Sequence, residues 1–311
     1  MSEKKHLLHY VKSLSCANKS RAINANERGT ALIITLLLVA LLVGLVVEFA
    51  YEVFIDTSAF ANWSNAQKSS SIARSGQTLS STYLANVKEL SYTYASEIDL
   101  PIERDFGLES QLSVKIGDES ARFNINSIIS SNGLTNVKAL SSLKKLLEYL
   151  NINPDLALTI ADWIDPDSDP RIIGSENNAK NTFLWSLDEL KFIDGMDEEN
   201  IETLKPLITV YGDNKININT AQVAVLVCLH KSMTENLAQS IVDYREITPL
   251  EHVGDITNVP GLEGKGSYLI GRISVKSSKF RVISEASVSG IKRIIESVID
   301  TSMKVHFWRE V

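Results

Sequence analysis

The feature that most constrains this chain is an uninterrupted apolar run near its N-terminus. Residues 30–47 read TALIITLLLVALLVGLVV, which is 18 residues without a charged side chain. As an α-helix this run is about 27 Å long, close to the roughly 30 Å hydrocarbon core of a bilayer. Because the run is apolar on every helical face, a buried core helix explains it poorly. The run therefore predicts a transmembrane helix that ends at Glu48.

Basic residues precede the apolar run, and acidic residues predominate after it. The net charge is -7, with a formal +4 on residues 1–29 and -11 on the remainder. Because positive residues stay on the cytoplasmic side of a membrane helix, the N-terminus is predicted to be cytoplasmic and the body to lie outside the cytoplasm. An acidic body argues against nucleic-acid binding, since neutralising phosphates requires lysine and arginine.

The residues around the start of the apolar run are compatible with two kinds of processing. A secretory signal peptide usually has a shorter apolar segment followed by a cleavage site, whereas this run continues into a polar stretch. In a type IV prepilin, a basic leader ends in glycine and is removed in front of the apolar segment. Residues 26–30, NERGT, fit the prepilin pattern, with Gly29 as the last leader residue and Thr30 as the first mature one. Residues 50–95 contain no proline and one glycine, Gly76, so the helix is predicted to extend beyond the membrane.

The body contains strand-like and helical patterns in separate regions. Residues 111–116 alternate apolar and polar side chains, which predicts a strand, and the tail after Gly271 has the same character. We expect these strands to form one antiparallel sheet packed on the long helix. The predicted tail strands are 272–276, 279–289, 292–301 and 303–308. Between the first strand and the tail the apolar spacing is helical, and the predicted helices are 137–150, 188–192, 198–204, 221–230 and 235–245.

The helical region contains an internal repeat. FNINS at 123–127 matches ININT at 216–220, and a helical segment follows each block. The first copy is longer, so it carries an extra loop. Ser127 and Thr220 are predicted helix N-caps, and the neighbouring asparagines are suited to bond turn backbone.

The extra loop of the first copy concentrates carboxylates. Four of them have the 1, 3, 5, 12 spacing of an EF-hand calcium loop. These are Asp165, Asp167, Asp169 and Glu176, and Asp162 lies just before them. Proline stands at position 6, where an EF-hand has glycine, so the loop is not predicted to be an EF-hand. Two interpretations remain: a calcium ion relieves the repulsion between these carboxylates, or the loop is a solvated acidic turn.

Together, these motifs resemble the K-type minor pseudopilins of type II secretion systems, and the likeness extends from Gly29 to the C-terminus. The resemblance implies an α+β fold, in which a large inserted all-α domain, SAM-like or helix-hairpin-helix-like, interrupts a long N-terminal helix and a pilin-like antiparallel sheet. The implied regions are a cytoplasmic leader at 1–29, a transmembrane helix at 30–47, a pilin-like head at 48–123 and 272–311, and the insert with its internal repeat at 124–271.

The same resemblance implies a structural subunit at the tip of a pseudopilus that serves protein export. Such a subunit is held in the bacterial inner membrane by one helix, has a periplasmic body, and is processed by prepilin peptidase. The implied partners are the I-type and J-type minor pseudopilins, the assembly machinery and secreted cargo, and the implied ligand is Ca²⁺ in the inserted domain. Most pilins carry glutamate at mature position 5, where this chain has Ile34 and K-type pseudopilins also lack it. A lone buried charge is costly without a partner, so Ile34 suits a subunit with nothing stacked above it.

No catalytic arrangement is recognisable in the sequence. The five histidines are not spaced as metal ligands, and no P-loop, HExxH or G-x-S-x-G motif is present, so the chain is predicted not to be an enzyme. Cys228 lies in an apolar segment and is predicted to be a buried thiol, while Cys16 lies on the other side of the membrane helix. The alternative function is a membrane receptor for DNA that uses the helix-hairpin-helix-like residues 259–264. The formal charge of -10 on residues 124–271 disfavours phosphate binding.

Overall fold

The structure is a computed structural model. It describes the backbone of residues 3–102, 106–107 and 109–311, and the side chains of these residues from residue 29 onward. Residues 1–64 and 65–311 form two compact units. The first unit contains the N-terminal part of helix α1 (Glu3–Val87), and the apolar side chains of the run at 30–47 are exposed. Within the described residues, α1 is the helix that is long and apolar enough to cross a membrane. The side chains of the predicted leader up to residue 28, including Cys16, lie outside the described set.

The second unit contains an antiparallel sheet of five strands. The strands of the described residues are β1 Glu97–Asp99, β2 Ser110–Asp118, β3 Phe123–Asn124, β4 Ile208–Thr209, β5 Ile216–Asn217, β6 Ile273–Ser274, β7 Lys279–Val288, β8 Ile291–Asp300 and β9 Val305–Glu310. The sheet has the order β1-β2-β7-β8-β9, and each neighbouring pair is antiparallel. The predicted α+β class, with a long helix and an antiparallel sheet, is confirmed. The predicted strand at 272–276 does not join this sheet and forms only the short β6.

The last turns of α1 pack on this sheet through small and polar side chains. Ser69, Ala73 and Ser80 are fully buried, and their spacing places them on one helical face. The Ser69 hydroxyl donates to the backbone carbonyl of Ala286 over 2.8 Å, and the Ser284 hydroxyl donates to that of Ala73 over 2.8 Å. Small residues allow the helix backbone to approach the strands closely, which makes these direct contacts possible.

The chain between β2 and β7 is mainly helical and has one continuous apolar core. Its α-helices are α2 Val137–Tyr149, α3 Leu156–Ile164, α4 Glu198–Leu204, α5 Val223–Cys228 and α6 Glu235–Ile247. Shorter 3₁₀ turns include Leu187–Phe192 and Val253–Asn258. The segment predicted as a helix at 188–192 is therefore a 3₁₀ turn, and the helix predicted at 221–230 is shorter than expected.

The two copies of the repeat make equivalent contacts. Each begins with a two-residue strand that pairs in parallel with the end of its own copy, β3 with β4 and β5 with β6. Asn126 accepts a hydrogen bond from the backbone amide of Leu184 and donates to its carbonyl. Asn219 does the same to the backbone of Leu250. The short parallel strands were not foreseen in an all-α insert, because they depend on pairing between residues distant in the chain.

The N-caps predicted at Ser127 and Thr220 are wrong. Ser127 lies inside the 3₁₀ turn Ile125–Ile128, where its hydroxyl donates to the carbonyl of Asn124 over 2.5 Å. Asn136 caps α2 instead, accepting from the amide of Ala139 over 3.3 Å. Helix α2 therefore begins well after the repeated block.

A buried polar network connects the second repeat copy to the sheet. Asp118, at the end of β2, accepts hydrogen bonds from Thr220 Oγ1 at 2.6 Å, from Asn217 Nδ2 at 3.1 Å and from the Ser277 hydroxyl at 2.5 Å. Asn217 Nδ2 also donates to Thr93 Oγ1 over 2.8 Å. Burial raises the pKa of the Asp118 carboxyl, while these hydrogen bonds favour its ionised form.

We expect Asn217→Ala to destabilise the protein by about 2–4 kcal/mol, because it removes one donor from a buried carboxylate and leaves the buried amide of Asn219 without its acceptor. Asn214, which is exposed, supplies the matched control, and Asn214→Ala is expected to change stability by less than about 0.5 kcal/mol. Urea unfolding of the detergent-solubilised chain, followed by tryptophan fluorescence, measures both. Equal stability of the two variants would show that the network is dispensable.

Candidate metal site

Three of the predicted metal ligands come together at the C-terminal end of α3. Asp162, Asp165 and Glu176 each place a carboxylate oxygen within 4.8 Å of the others. Asp162 and Asp165 are fully buried, and Glu176 is partly buried. The two aspartates are brought together by their i, i+3 spacing at the end of a helix, and the chain then returns to add the glutamate.

Arg171 is the cation in contact with two of these carboxylates. Its Nη1 forms ion pairs with Asp162 Oδ1 at 2.5 Å and with Asp165 Oδ2. Its Nη2 donates to Thr135 Oγ1 over 2.7 Å, which attaches the loop to the segment before α2. Three carboxylates and one guanidinium leave a formal charge of -2 in this cluster.

The surroundings of the cluster disfavour that negative charge. Burial raises the pKa of Asp165, and burial together with the neighbouring aspartates raises the pKa of Glu176. The C-terminal end of a helix carries partial negative charge, so α3 adds to the repulsion on Asp162 and Asp165. The cluster therefore favours binding of a further cation.

The unpartnered oxygens provide a direct test of whether a metal ion fits. Asp165 Oδ1 and both carboxylate oxygens of Glu176 are buried without a hydrogen-bond partner. Buried carboxylate oxygens ordinarily have partners, and oxygen ligands including a bidentate glutamate are those that Ca²⁺ prefers. The residues present thus fit a calcium ion. Asn181 Oδ1 is also buried without a partner, and the backbone amide of Asn181 donates to the carbonyl of Trp163 at the same end of α3.

The other two predicted ligands do not join the cluster. Asp167 and Asp169 are exposed, and Asp167 Oδ1 accepts from the amide of Asp169 over 2.9 Å in a local turn. Of the four residues with EF-hand spacing, only Asp165 and Glu176 join the cluster. The third carboxylate of the cluster is Asp162, which lies before that spacing begins. Sequence reasoning missed Arg171, although a single basic residue between five carboxylates was a usable signal.

The remaining candidate residues have simpler surroundings. Gly29 and Thr30 lie within α1 at the start of the apolar run. Cys228 is buried, its thiol donates to the carbonyl of Val225, and burial raises its pKa to about 12, as predicted for an unreactive thiol. In the helix-hairpin-helix-like segment, the amide of Gly261 donates to Glu263 Oε1 over 3.2 Å. The negative charge of Glu263 therefore disfavours a DNA phosphate at this segment.

Three features together define a pilin-like protein. A helix has membrane-spanning length, its last turns pack on an antiparallel sheet, and a helical insert connects strands β2 and β7 of that sheet. Two family models, both described as type II secretion system (T2SS), protein K, match residues 121–213 and 216–276. Their boundary coincides with the boundary between the repeat copies. The chain belongs to the type II secretion system protein K family.

Curated relatives and a solved structure agree with this assignment. Type II secretion system protein K of Pseudomonas aeruginosa is 26% identical over 219 residues, which cover 64% of this chain and 63% of that relative. The protein K of Klebsiella pneumoniae is 25% identical over 276 residues, which cover 78% of this chain and 82% of the relative. A chain from the crystal structure of the GspK-GspI-GspJ complex of the enterotoxigenic Escherichia coli type 2 secretion system matches with a TM-score of 0.63 at 20% identity, covering 82% of this chain and 99% of that one. This structure supports the fold.

Proposed function

We propose that the chain is a minor pseudopilin, a structural and non-enzymatic subunit at the tip of the pseudopilus of a type II secretion system. The observation that carries the proposal is a helix of membrane-spanning length that continues onto the sheet in a chain of the protein K family. The helix anchors the subunit in the inner membrane, with a cytoplasmic N-terminus and a periplasmic body, as the charge distribution predicts. Removal of the leader then allows the helix to pack among other pilin-like helices.

The proposed partners are the I-type and J-type minor pseudopilins. The Escherichia coli chain with the similar fold was crystallised in a complex with proteins of those two types. Ile34, in place of the glutamate of most pilins, removes a charge that would need a partner above it. Prepilin peptidase and the pseudopilus assembly machinery complete the proposed set, and secreted cargo is a further candidate for contact.

We also propose that Asp162, Asp165 and Glu176 hold a calcium ion that stabilises the insert. Calcium would neutralise the negative charge that remains on the three carboxylates after two of them pair with Arg171. Site affinities on the order of 10⁻⁴–10⁻³ M are typical of calcium modules outside the cytoplasm.

The leader provides the test of the proposed function. We expect Gly29→Val to block processing, because prepilin cleavage follows a glycine, so the full chain accumulates and export of a secreted reporter is lost. A Cβ built on Gly29 meets nothing within 4 Å, so the fold itself tolerates the change. N-terminal sequencing of the membrane fraction is expected to find Thr30 as the first residue of the parent protein.

Gly44→Val is the matched control, since Gly44 lies in the same helix and a Cβ there also meets nothing within 4 Å. This variant is expected to be processed and to support export. A parent protein that starts after residue 47, or that keeps its leader while export proceeds, would contradict the proposal.

A further inference from the structure

A basic cleft of about 560 Å³ opens beside α2 and the C-terminal end of α5. Five cationic side chains line it, and Glu148 is the carboxylate among its lining residues. The five cations of this basic cleft are Lys138, Lys144, Lys145, Lys231 and Arg272. The formal charge of residues 124–271 is -10, so this concentration of positive charge runs against the composition of the region.

The charges of the basic cleft are not neutralised within the described residues. None of its five cations lies within 4.0 Å of a carboxylate oxygen, whereas ion pairs are frequent elsewhere in the second unit. The paired cations there are Arg74, Lys115, Arg122, Arg171, Lys180, Lys205, Lys279, Arg281, Lys292 and Arg309. Ten basic side chains of the described residues are thus paired with carboxylates, and the cleft brings together five that are not.

Two of these cations are held in place by backbone carbonyls. Lys145 Nζ donates to the carbonyls of His230 and Met233 over 2.8 and 2.6 Å. Arg272 donates to the carbonyl of Leu229 and to the Ser142 hydroxyl. Carbonyls orient a cation without cancelling its charge. The floor of the cleft therefore presents fixed positive charge, with the exposed Lys138 and Lys231 at its mouth.

The basic cleft continues into a second cavity of about 180 Å³. The two cavities share Lys138, Ser142 and Arg272 in their walls. The second cavity adds the amides of Asn124, Asn136 and Asn214, together with Asp213. The two cavities together form a groove that has a larger volume than a single small anion requires, and the second cavity has neutral amide side chains in its wall next to the charges.

We propose that this groove binds an acidic segment of a partner protein, with aspartate or glutamate carboxylates on the five cations and peptide groups against the amides. Charge complementarity carries the choice of ligand, because opposite potentials accelerate and orient protein association. Nucleic acid fits less well, because the formal charge of -10 on residues 124–271 disfavours binding of a continuous row of phosphates. This binding goes beyond the proposed function. It depends on the residues of the groove and not on the assembly to which the chain belongs.

The test measures binding of a fluorescently labelled hexaglutamate peptide to the full chain in an uncharged detergent, by fluorescence anisotropy at physiological salt. We expect saturable binding that weakens at higher salt, and a loss of at least about tenfold in affinity in the triple variant Lys138→Glu, Lys144→Glu, Lys231→Glu. Each of these lysines can be reversed without breaking an ion pair.

The matched control reverses three exposed lysines outside the groove, Lys191, Lys265 and Lys304, whose side-chain Nζ atoms form no ion pair within the described residues. It changes net charge by the same amount and is expected to keep affinity within about twofold of the parent. Equal loss in both triple variants would show a general charge effect and overturn the proposal. So would the absence of binding by the parent. Two other outcomes would overturn the proposal in favour of a different ligand. One is displacement of the peptide by inorganic phosphate when the phosphate concentration equals the concentration of peptide carboxylates. The other is binding of a single-stranded oligonucleotide that is stronger than peptide binding and that the lysine-to-glutamate triple variant abolishes.

Discussion

Calcium is expected to raise the melting temperature of the full chain by about 5–10 °C at a concentration of about 100 times Kd. Binding at that saturation stabilises the folded state by about 2.7 kcal/mol, and each kcal/mol shifts the melting temperature of a domain of 150–250 residues by about 2–4 °C. The physical reason is the buried cluster of Asp162, Asp165 and Glu176, whose negative charge exceeds what Arg171 neutralises. Thermal unfolding in detergent with calcium or with a chelator measures the shift.

Two isosteric variants separate the cluster from the acidic loop. Glu176→Gln removes a carboxylate whose two oxygens have no partner, so the calcium-dependent shift is expected to fall by at least half. Asp167→Asn removes one charge from an exposed turn residue and is expected to keep most of the shift. The sequence spacing alone predicts a loss in both, so the pair distinguishes the folded cluster from the linear EF-hand pattern.

The stability of Glu176→Gln without calcium gives a second readout. The pKa of Glu176 is raised in the folded protein, so its ionised form is disfavoured there. Protonation of Glu176 therefore stabilises the folded protein at low pH, and this stability is lost as the pH rises through the folded pKa. At neutral pH, Glu176→Gln is therefore expected to leave the calcium-free protein as stable as the parent or more so. A parent without any calcium shift, or equal shifts in both variants, would contradict the calcium proposal.

The anchor and the fold class were predictable because their signals are local and periodic. The apolar run at 30–47 is recognised from its length and composition alone. Strands β2 and β7 are recognised from the alternation of apolar and polar residues that a strand shows when one of its faces is solvated. The two-residue strands β3 to β6 were not predictable in this way, since each exists only because its partner lies about 60–85 residues away. The N-caps were misplaced for a related reason: Thr220 gives its hydroxyl to Asp118 in the sheet, not to a helix end.

The candidate metal site was half predictable from sequence. Counting carboxylates identified the loop that contains Asp165 and Glu176, but linear spacing also selected Asp167 and Asp169, which are exposed. The controlling geometry is the end of α3, where Asp162 and Asp165 share a helical face and the backbone dipole adds to their repulsion. An Asp-x-x-Asp pair closing an apolar helix is the signal that would have identified the pair.

The second large effect is expected at Gly76, where α1 meets the sheet. A Cβ built on Gly76 lies 2.1 Å from Ser284 Oγ, 2.8 Å from Val114 Cγ2 and 3.2 Å from Leu112 Cδ1. Alanine is favoured over glycine inside a helix by about 1 kcal/mol, but overpacking of this kind costs about 1–3 kcal/mol or more. Because Gly76 faces two strands that cannot retreat without breaking their pairing, we expect Gly76→Ala to lower the free energy of unfolding by about 2 kcal/mol.

A double-mutant cycle identifies the cause of this loss. Ser284→Ala alone removes the hydrogen bond to the Ala73 carbonyl and is expected to cost about 1 kcal/mol. Combined with Gly76→Ala, it removes the atom that the new methyl group meets first, so the double variant is expected to be more stable than the sum of the single effects predicts. Gly254→Ala is the control, because a Cβ there meets nothing within 4 Å. Additive effects in urea unfolding, or a Gly76→Ala protein as stable as the parent, would mean that the helix does not approach the sheet this closely. Coupling of the expected sign would establish that small residues along α1 set the distance between the helix and the sheet.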